Sequence, residues 1–108
     1  MIRQISVHEL AARLKAREPI CLVDVRQSWE HEIAALPNSV LLPLNELPNR
    51  AKELEASDGA LVVAYCHHGI RSLSAAALLA GMGFDDVVSL HGGIDAWSRE
   101  VDPNVPRY

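Results

Sequence analysis

The sequence predicts a three-layer α/β fold in which a mostly parallel central sheet of about five strands lies between helices. Short apolar runs alternate along the chain with segments of helical periodicity, a pattern typical of strands joined by helical crossovers. Two runs, residues 20–25 and 60–65, are almost continuous in apolar side chains, as in strands covered on both faces. With 108 residues, 49% of them hydrophobic, the chain can form one core, so we expect a single domain over residues 1–108.

The N-terminal half is predicted to hold three strands and three helices. Ser6 and Glu9 form a capping box that begins a helix running to about Lys15. Ser28 is expected to cap a short helix after the second strand, and a longer helix over residues 45–54 follows the third. The strands are predicted at residues 2–5, the first of them an edge strand, and at residues 20–25 and 40–42.

The C-terminal half is predicted to continue the alternation. The strand at residues 60–65 ends at Cys66, and the alanine- and leucine-rich residues 72–82 form a helix that ends at Gly83. The remaining predicted elements are a strand at residues 87–90, a turn at 91–93, a short helix at 94–99 and an extended tail at 102–106.

Composition disfavours several classes of partner. A formal net charge of −4 argues against binding to phosphate backbones, which relies on clustered Lys and Arg. Two cysteines are too few for a disulfide framework, which favours a reducing, cytoplasmic setting. The N-terminus lacks the pattern of a signal peptide, and the apolar stretches are shorter than the ~20 residues that span a bilayer. We therefore expect a soluble, cytoplasmic monomer with neither nucleic acid nor a membrane as partner.

The loop after the strand at residues 60–65 carries the candidate chemistry. In open α/β sheets the reactive site lies beyond the carboxyl ends of the strands, where loops meet helix N-termini. Successive backbone N–H groups in such a loop can form an anion-binding nest, and the helix dipole then favours thiolate over thiol. We expect Cys66 to be the nucleophile. The loop consists of Cys66, His67, His68, Gly69, Ile70, Arg71 and Ser72.

Several alternatives remain open for the other residues of this loop and for the second cysteine. Gly69 permits a positive φ or a close backbone approach, and a side chain there would crowd an anion. His67 and His68 either supply positive charge to a donor or are simply solvated. Cys21 starts its strand whereas Cys66 follows the end of another, so a disulfide would not reach, and Cys21 is expected in the core.

Three segments together resemble one known family. They are Asp24-Val25-Arg26, the loop that begins at Cys66, and Gly92-Gly93-Ile94-Asp95-Ala96-Trp97. In these motifs the chain is similar to rhodanese-like domains over essentially its whole length. Residues 101–108 also resemble the ends of small bacterial members with a CHHG-type loop, and of the C-terminal rhodanese-like domains in some sulfurtransferase fusions.

The resemblance implies a sulfurtransferase that needs no cofactor and no metal. The Cys66 thiolate would attack the outer sulfur of a small anionic donor such as thiosulfate, and the resulting persulfide would pass its sulfur to cyanide, a thiol or a protein acceptor. Arg71 would orient the donor. The resemblance also implies that Asp24, Arg26 and Glu30 pair to brace neighbouring loops.

Two further positions are interpreted from their place in the chain. Trp97 follows the Gly-Gly pair by one helical turn and is expected in the core, whereas His91 is a weaker candidate for the rim of the site. Where many relatives have His-Ile-Pro-Gly, this chain has Ala-Leu-Pro-Asn at residues 35–38. Asn38 can still adopt the left-handed conformation that the turn needs.

Three rival functions stay open. A protein tyrosine phosphatase also combines a cysteine, an anion-binding loop and an arginine, but it has five residues between them, whereas four separate Cys66 from Arg71. A metal site from Cys66, His67, His68 and His91 would need adjacent histidines to converge on one ion. A non-catalytic binding module is the third alternative, although the presence of both Cys66 and Arg71 favours catalysis.

Overall fold

A single parallel sheet organises the protein. The computed structural model describes residues 2–54 and 59–108. Within them the strands are β1 (Gln4–Ile5), β2 (Ile20–Asp24), β3 (Val40–Leu41), β4 (Leu61–Tyr65) and β5 (Val87–Leu90). The five strands pair in parallel in the order β1-β5-β4-β2-β3. The predicted sheet is confirmed, and β1 lies at its edge as expected.

Helices connect the strands. Ser6 is confirmed as the cap of the first helix, since its Oγ accepts a hydrogen bond from the Glu9 N–H at 3.0 Å, but the Glu9 side chain accepts from Arg13 Nε at 3.2 Å and does not complete the predicted capping box. The prediction that Ser28 caps the second helix is wrong, because Ser28 is already its first helical residue and Gln27 precedes it in extended backbone. The helices are α1 (Val7–Lys15), α2 (Ser28–Ile33), α3 (Leu47–Arg50), α4 (Arg71–Gly81) and α5 (Gly93–Glu100).

The predicted continuous helix over residues 45–54 is wrong. A 3-10 turn at Leu44–Glu46, the short α3 and a second 3-10 turn at Ala51–Glu53 occupy this segment. Pro48 explains the interruption, because it has no N–H with which to continue an i to i−4 ladder from Leu44.

The C-terminal tail also differs from the sequence prediction. It is not simply extended, since a turn forms in which the Val105 N–H donates to the Asp102 carbonyl oxygen at 3.1 Å. The Asn104 N–H donates to Asp102 Oδ1 at 3.0 Å, so an aspartate side chain organises this turn locally.

Two hydrophobic clusters cover the two faces of the sheet. Side chains alternate along each strand, so Leu22 and Val63 pack in the cluster that contains Leu10 of α1 and Trp97 of α5. The opposite cluster holds Leu79 of α4, together with Val23, Val62, Leu47 and Cys66. The three-layer arrangement and the core position of Trp97 are therefore confirmed.

The parallel register brings the strand ends to one edge. Asp24 of β2 lies beside Tyr65 of β4, so the segments that follow both strands leave the sheet together. Cys21 pairs with Val62, and Val62 precedes Cys66 by four residues along the chain, so the two cysteines lie at opposite ends of their strands. Both are free thiols. The prediction that no disulfide joins them is confirmed, although Cys21 is only half-buried. In the described residues, every helix is too short or too polar to cross a membrane.

Candidate active site

The sulfur of Cys66 lies at the start of α4. Its Sγ accepts hydrogen bonds from the backbone N–H groups of Gly69, at 3.1 Å, and Ser72, at 3.4 Å. Ser72 is the second residue of α4, so the sulfur takes the place that a capping oxygen has in other helices. Cys66 is 1% exposed. The backbone and the positive end of the helix dipole thus converge on a buried sulfur.

Gly69 lets the loop fold against the next turn of the chain. Its φ is +101°, which confirms the predicted positive φ. A Cβ at this position would lie 3.1 Å from the Gly92 nitrogen and 3.2 Å from the Leu90 carbonyl oxygen. The close approach is therefore to the turn between β5 and α5.

The Gly-Gly pair serves the same contact from the other side. The N–H groups of Ile94 and Asp95, at the start of α5, donate to the carbonyl oxygens of Cys66 and His67 at 2.9 and 3.1 Å. A Cβ at Gly93 would collide with both carbonyl oxygens. The second glycine of the motif is thus required by the docking of α5 onto the cysteine loop.

Two buried hydroxyl groups lie behind the sulfur. Cys66 Sγ donates to Ser72 Oγ at 3.5 Å, and Ser72 Oγ lies 2.7 Å from Ser89 Oγ on β5. Both serines are 0% exposed. Sequence reasoning included Ser72 as part of the loop but missed Ser89. Its only signal was a polar residue within the apolar run of β5.

Arg71 is held by Glu30 rather than standing free. Its Nη1 and Nη2 donate to Glu30 Oε1 and Oε2 at 2.7 and 2.9 Å. The hydrogen bonds from Arg71 lower the pKa of Glu30 to about 2, against the opposing effect of burial. The same contacts raise the pKa of Arg71. The resemblance implied that Glu30 pairs with Asp24 and Arg26, whereas the structure pairs it with the arginine of the cysteine loop.

Asp24 and Arg26 form a bidentate ion pair with each other. Arg26 Nε and Nη2 donate to Asp24 Oδ1 and Oδ2 at 2.8 and 2.7 Å, and both side chains are fully buried. Arg26 Nη2 also donates to the Ala34 carbonyl oxygen at 2.5 Å. Burial alone would lower the pKa of Arg26, but hydrogen bonds to Asp24 and Tyr108 raise it instead. The pair ties the end of β2 to the end of α2.

Tyr108 links these two ion pairs, and sequence reasoning missed its role. Its hydroxyl accepts from Arg26 Nη1 at 2.8 Å and donates to Glu30 Oε2 at 2.7 Å. Its ring stacks on His67, with ring centroids 4.0 Å apart and planes 9° from parallel. Burial raises the pKa of Tyr108 to about 12, so the hydroxyl remains a donor at neutral pH. The side chain thus joins both pairs to the cysteine loop.

The remaining candidates lie around the rim. Burial, and secondarily the neighbouring His68, lower the pKa of His67 and so favour its neutral form. His68 is exposed, with Nδ1 3.9 Å from Asp95 Oδ2, and Ile70 is 77% exposed. His91 is exposed and contacts Gln4 Oε1 at 3.2 Å. Within residues 2–54 and 59–108, no three His, Cys, Asp or Glu side chains are placed to hold a metal ion.

Cys66 directly follows the central parallel strand β4, and backbone N–H groups are directed at its sulfur. The chain belongs to the rhodanese-like domain family, whose profile matches residues 6–100. It is 36% identical over 105 residues to a sulfurtransferase from Allochromatium vinosum, with 97% of the chain and 96% of that protein covered. A solved rhodanese-related protein from Thermoplasma volcanium has a TM-score of 0.82 at 30% identity, with 98% of this chain and 99% of that one covered.

Other relatives are much longer than this chain. An adenylyltransferase and sulfurtransferase from Ogataea parapolymorpha is 36% identical over 105 residues, which cover 97% of the chain but only 26% of that protein. The chain likewise spans less than a third of the length of several curated relatives. The relatives named sulfurtransferase support a sulfur-transfer role at the level of the family.

Proposed function

We propose that the chain moves sulfane sulfur from thiosulfate or another persulfide donor to a thiophilic acceptor through a persulfide on Cys66. The observation that carries the proposal is the pair of backbone N–H groups, from Gly69 and Ser72, that point at Cys66 Sγ. Hydrogen bonds to a charged acceptor are about twice as strong as neutral ones, so these donors favour an anionic sulfur. The start of α4 adds its dipole to the same effect.

The transfer consists of two displacements at sulfur. The Cys66 thiolate attacks the outer sulfur of thiosulfate, a new S–S bond forms, and the bond to the sulfonate breaks with its electron pair leaving on sulfite. In the second step the acceptor, cyanide or a thiolate, attacks the outer sulfur of the persulfide. The Cys66 thiolate is then the leaving group, so the enzyme returns to its starting form and the cycle is ping-pong.

Arg71 is proposed to orient the donor while it stays paired with Glu30. Glu30 accepts one hydrogen bond from each terminal nitrogen of the Arg71 guanidinium, which leaves three of the five guanidinium N–H groups for other acceptors. The Arg71 side chain is 36% exposed and the Glu30 side chain 4% exposed. Since Glu30 offsets the charge of Arg71, the arginine acts through directed hydrogen bonds more than as a free cation.

The buried position of Cys66 restricts how a donor can react. A sulfur in a side chain that is 1% exposed can be reached only by a narrow group. The terminal sulfur of thiosulfate or of a persulfide is such a group, whereas a sulfonate with three oxygens is not. The donor therefore has to enter with its reacting sulfur first and its charged end towards the rim.

The test is the steady-state formation of thiocyanate from thiosulfate and cyanide. We expect parallel double-reciprocal lines, as a ping-pong cycle requires, and no activity in Cys66→Ser. Cys21→Ser is the matched control because it removes the other thiol, and it should keep wild-type activity. Thiocyanate formation by Cys66→Ser at the wild-type rate would overturn the proposal.

A further inference from the structure

Three atoms form a buried row behind the reactive sulfur. Cys66 Sγ lies 3.5 Å from Ser72 Oγ, which lies 2.7 Å from Ser89 Oγ. Both serines are 0% exposed, so bulk water does not compete for their hydroxyl protons. Among residues 2–54 and 59–108, Ser72 Oγ is the one hydrogen-bond partner of Ser89 Oγ. The row therefore contains two hydrogen bonds and ends at Ser89.

The number of protons in this row depends on the state of the sulfur. When Cys66 is a thiol, the three side chains carry three protons, but only two hydrogen bonds can form along the row. One proton therefore has no acceptor in the row. If Cys66 donates to Ser72 and Ser72 to Ser89, the surplus proton is the one on Ser89. If both hydroxyls point towards the sulfur instead, the surplus proton is the S–H, and Ser72 donates to a weak, neutral acceptor.

With a thiolate the row is complete. The Cys66 proton has left to water, and only the two hydroxyl protons remain. Both then form hydrogen bonds, since Ser89 donates to Ser72 and Ser72 donates to the sulfur. The bond to sulfur is then charge-assisted, and the donor behind it strengthens it further. The inner sulfur of a persulfide likewise carries no proton, so the same arrangement suits the loaded form.

We propose that Ser72 and Ser89 are positioning residues that stabilise the anionic form of Cys66 through a hydroxyl chain directed at its sulfur. This inference deepens the proposed function and rests on it for its role in sulfur transfer. The ionisation of Cys66 itself can be measured without any sulfur donor, so the two proposals can fail separately.

Titratable and charged groups lie on the cysteine loop and on other parts of the chain, and they must stay unchanged in the test. They come from the loop, from α2, from α5 and from the tail, and several are paired with each other. The hydroxyl groups are neutral, so their removal leaves these charges in place. The groups are Arg71 with Glu30, His67, His68, and Asp95 with Arg99 and Arg107.

The experiment follows the alkylation rate of Cys66 by iodoacetamide against pH in a Cys21→Ser background. Ser72→Ala should move the profile to higher pH and lower the rate at neutral pH about tenfold, the size of one charge-assisted hydrogen bond. It should fold, because alanine favours the helix and the residue 72 N–H is kept. Ser89→Ala should act in the same direction by a smaller factor, about twofold to threefold.

Ser98→Ala is the matched control. Ser98 is also buried and its hydroxyl donates to the Ile94 carbonyl oxygen at 3.1 Å, but it is not in the row. Its profile should not move. The far-ultraviolet absorbance of the thiolate gives a second titration that does not depend on reagent access. Ser72→Ala and Ser98→Ala profiles that coincide by both readouts would overturn the proposal, and an unchanged Ser89→Ala profile would remove Ser89 from it.

Discussion

Replacing Glu30 with glutamine tests how firmly the cysteine loop is held to α2. The substitution keeps the shape of the side chain and an oxygen for the Gln27 N–H, but it removes the charge that Arg71 binds. The pKa of Glu30 is lowered from 4.5 to about 2, mainly by the hydrogen bonds from Arg71. At 1.36 kcal/mol per unit this corresponds to about 3 kcal/mol of folding free energy at neutral pH.

The sign of the effect defines a pH window. A carboxyl group whose pKa is lower in the folded state stabilises the fold fully above its ordinary value and loses this contribution as pH falls from 4.5 to about 2. Arg71 is partly exposed, so water can hydrogen-bond to its guanidinium when the charge of Glu30 is removed. We therefore expect Glu30→Gln to lower the free energy of unfolding by about 2 kcal/mol at neutral pH. Below about pH 2 the difference from wild type should largely disappear.

Urea unfolding at a series of pH values measures this difference directly. Glu46→Gln is the matched control, since Glu46 contacts Arg50 at 2.7 Å in an exposed pair and should contribute much less. If Glu30→Gln is destabilised by the same amount at neutral and acid pH, the charge of the pair is not the cause. A destabilisation no larger than that of Glu46→Gln would refute the bracing role of the pair altogether.

Three other expectations address the loop, the tail and the rival activity. Gly93→Ala should lower the free energy of unfolding in urea by at least about 2 kcal/mol, because residue 93 has a positive φ and its new Cβ would collide with the cysteine loop. Gly81→Ala, in open helical surroundings, should raise the free energy of unfolding by about 0.5 to 1 kcal/mol. Equal effects of the two substitutions would contradict this reading. Tyr108→Phe should lose about 1–2 kcal/mol through its missing hydroxyl, and an unchanged stability would mean that water replaces the hydroxyl as the link to Glu30. Turnover of para-nitrophenyl phosphate should not exceed that of Cys66→Ser, and robust phosphatase activity that requires the cysteine would reverse the choice between the two chemistries.

The elements that follow from local pattern were predictable from the sequence. The continuous apolar runs at β2 and β4 indicate strands covered on both faces, and parallel pairing then places Cys66 at the edge where strand ends meet. Ser6 could be identified as a helix cap because its partner is three residues away. Gly69 could be assigned a positive φ from residue type and position alone. In each case the signal that supports the prediction lies within a short stretch of sequence.

The parts that were not predicted depend on contacts between distant residues. Glu30 and Arg71 are 41 positions apart, and nothing in either segment marks the other as its partner. Ser89 acquires its role from the side-by-side arrangement of β5 and α4, and Tyr108 from the path of the tail back to α2. The interruption at Pro48 is different, because its cause is local. The helical pattern of residues 45–54 predicts one continuous helix, but the missing N–H of Pro48 interrupts it.

The intact mass of the protein after incubation with thiosulfate tests the persulfide on Cys66 most directly. Wild type and Cys21→Ser should each gain one sulfur, about 32 Da, and cyanide or dithiothreitol should remove it. Cys66→Ser should gain nothing under the same conditions. A sulfur that loads onto Cys66→Ser, or that peptide mapping places on Cys21, would contradict the assignment of Cys66 as the sulfur carrier.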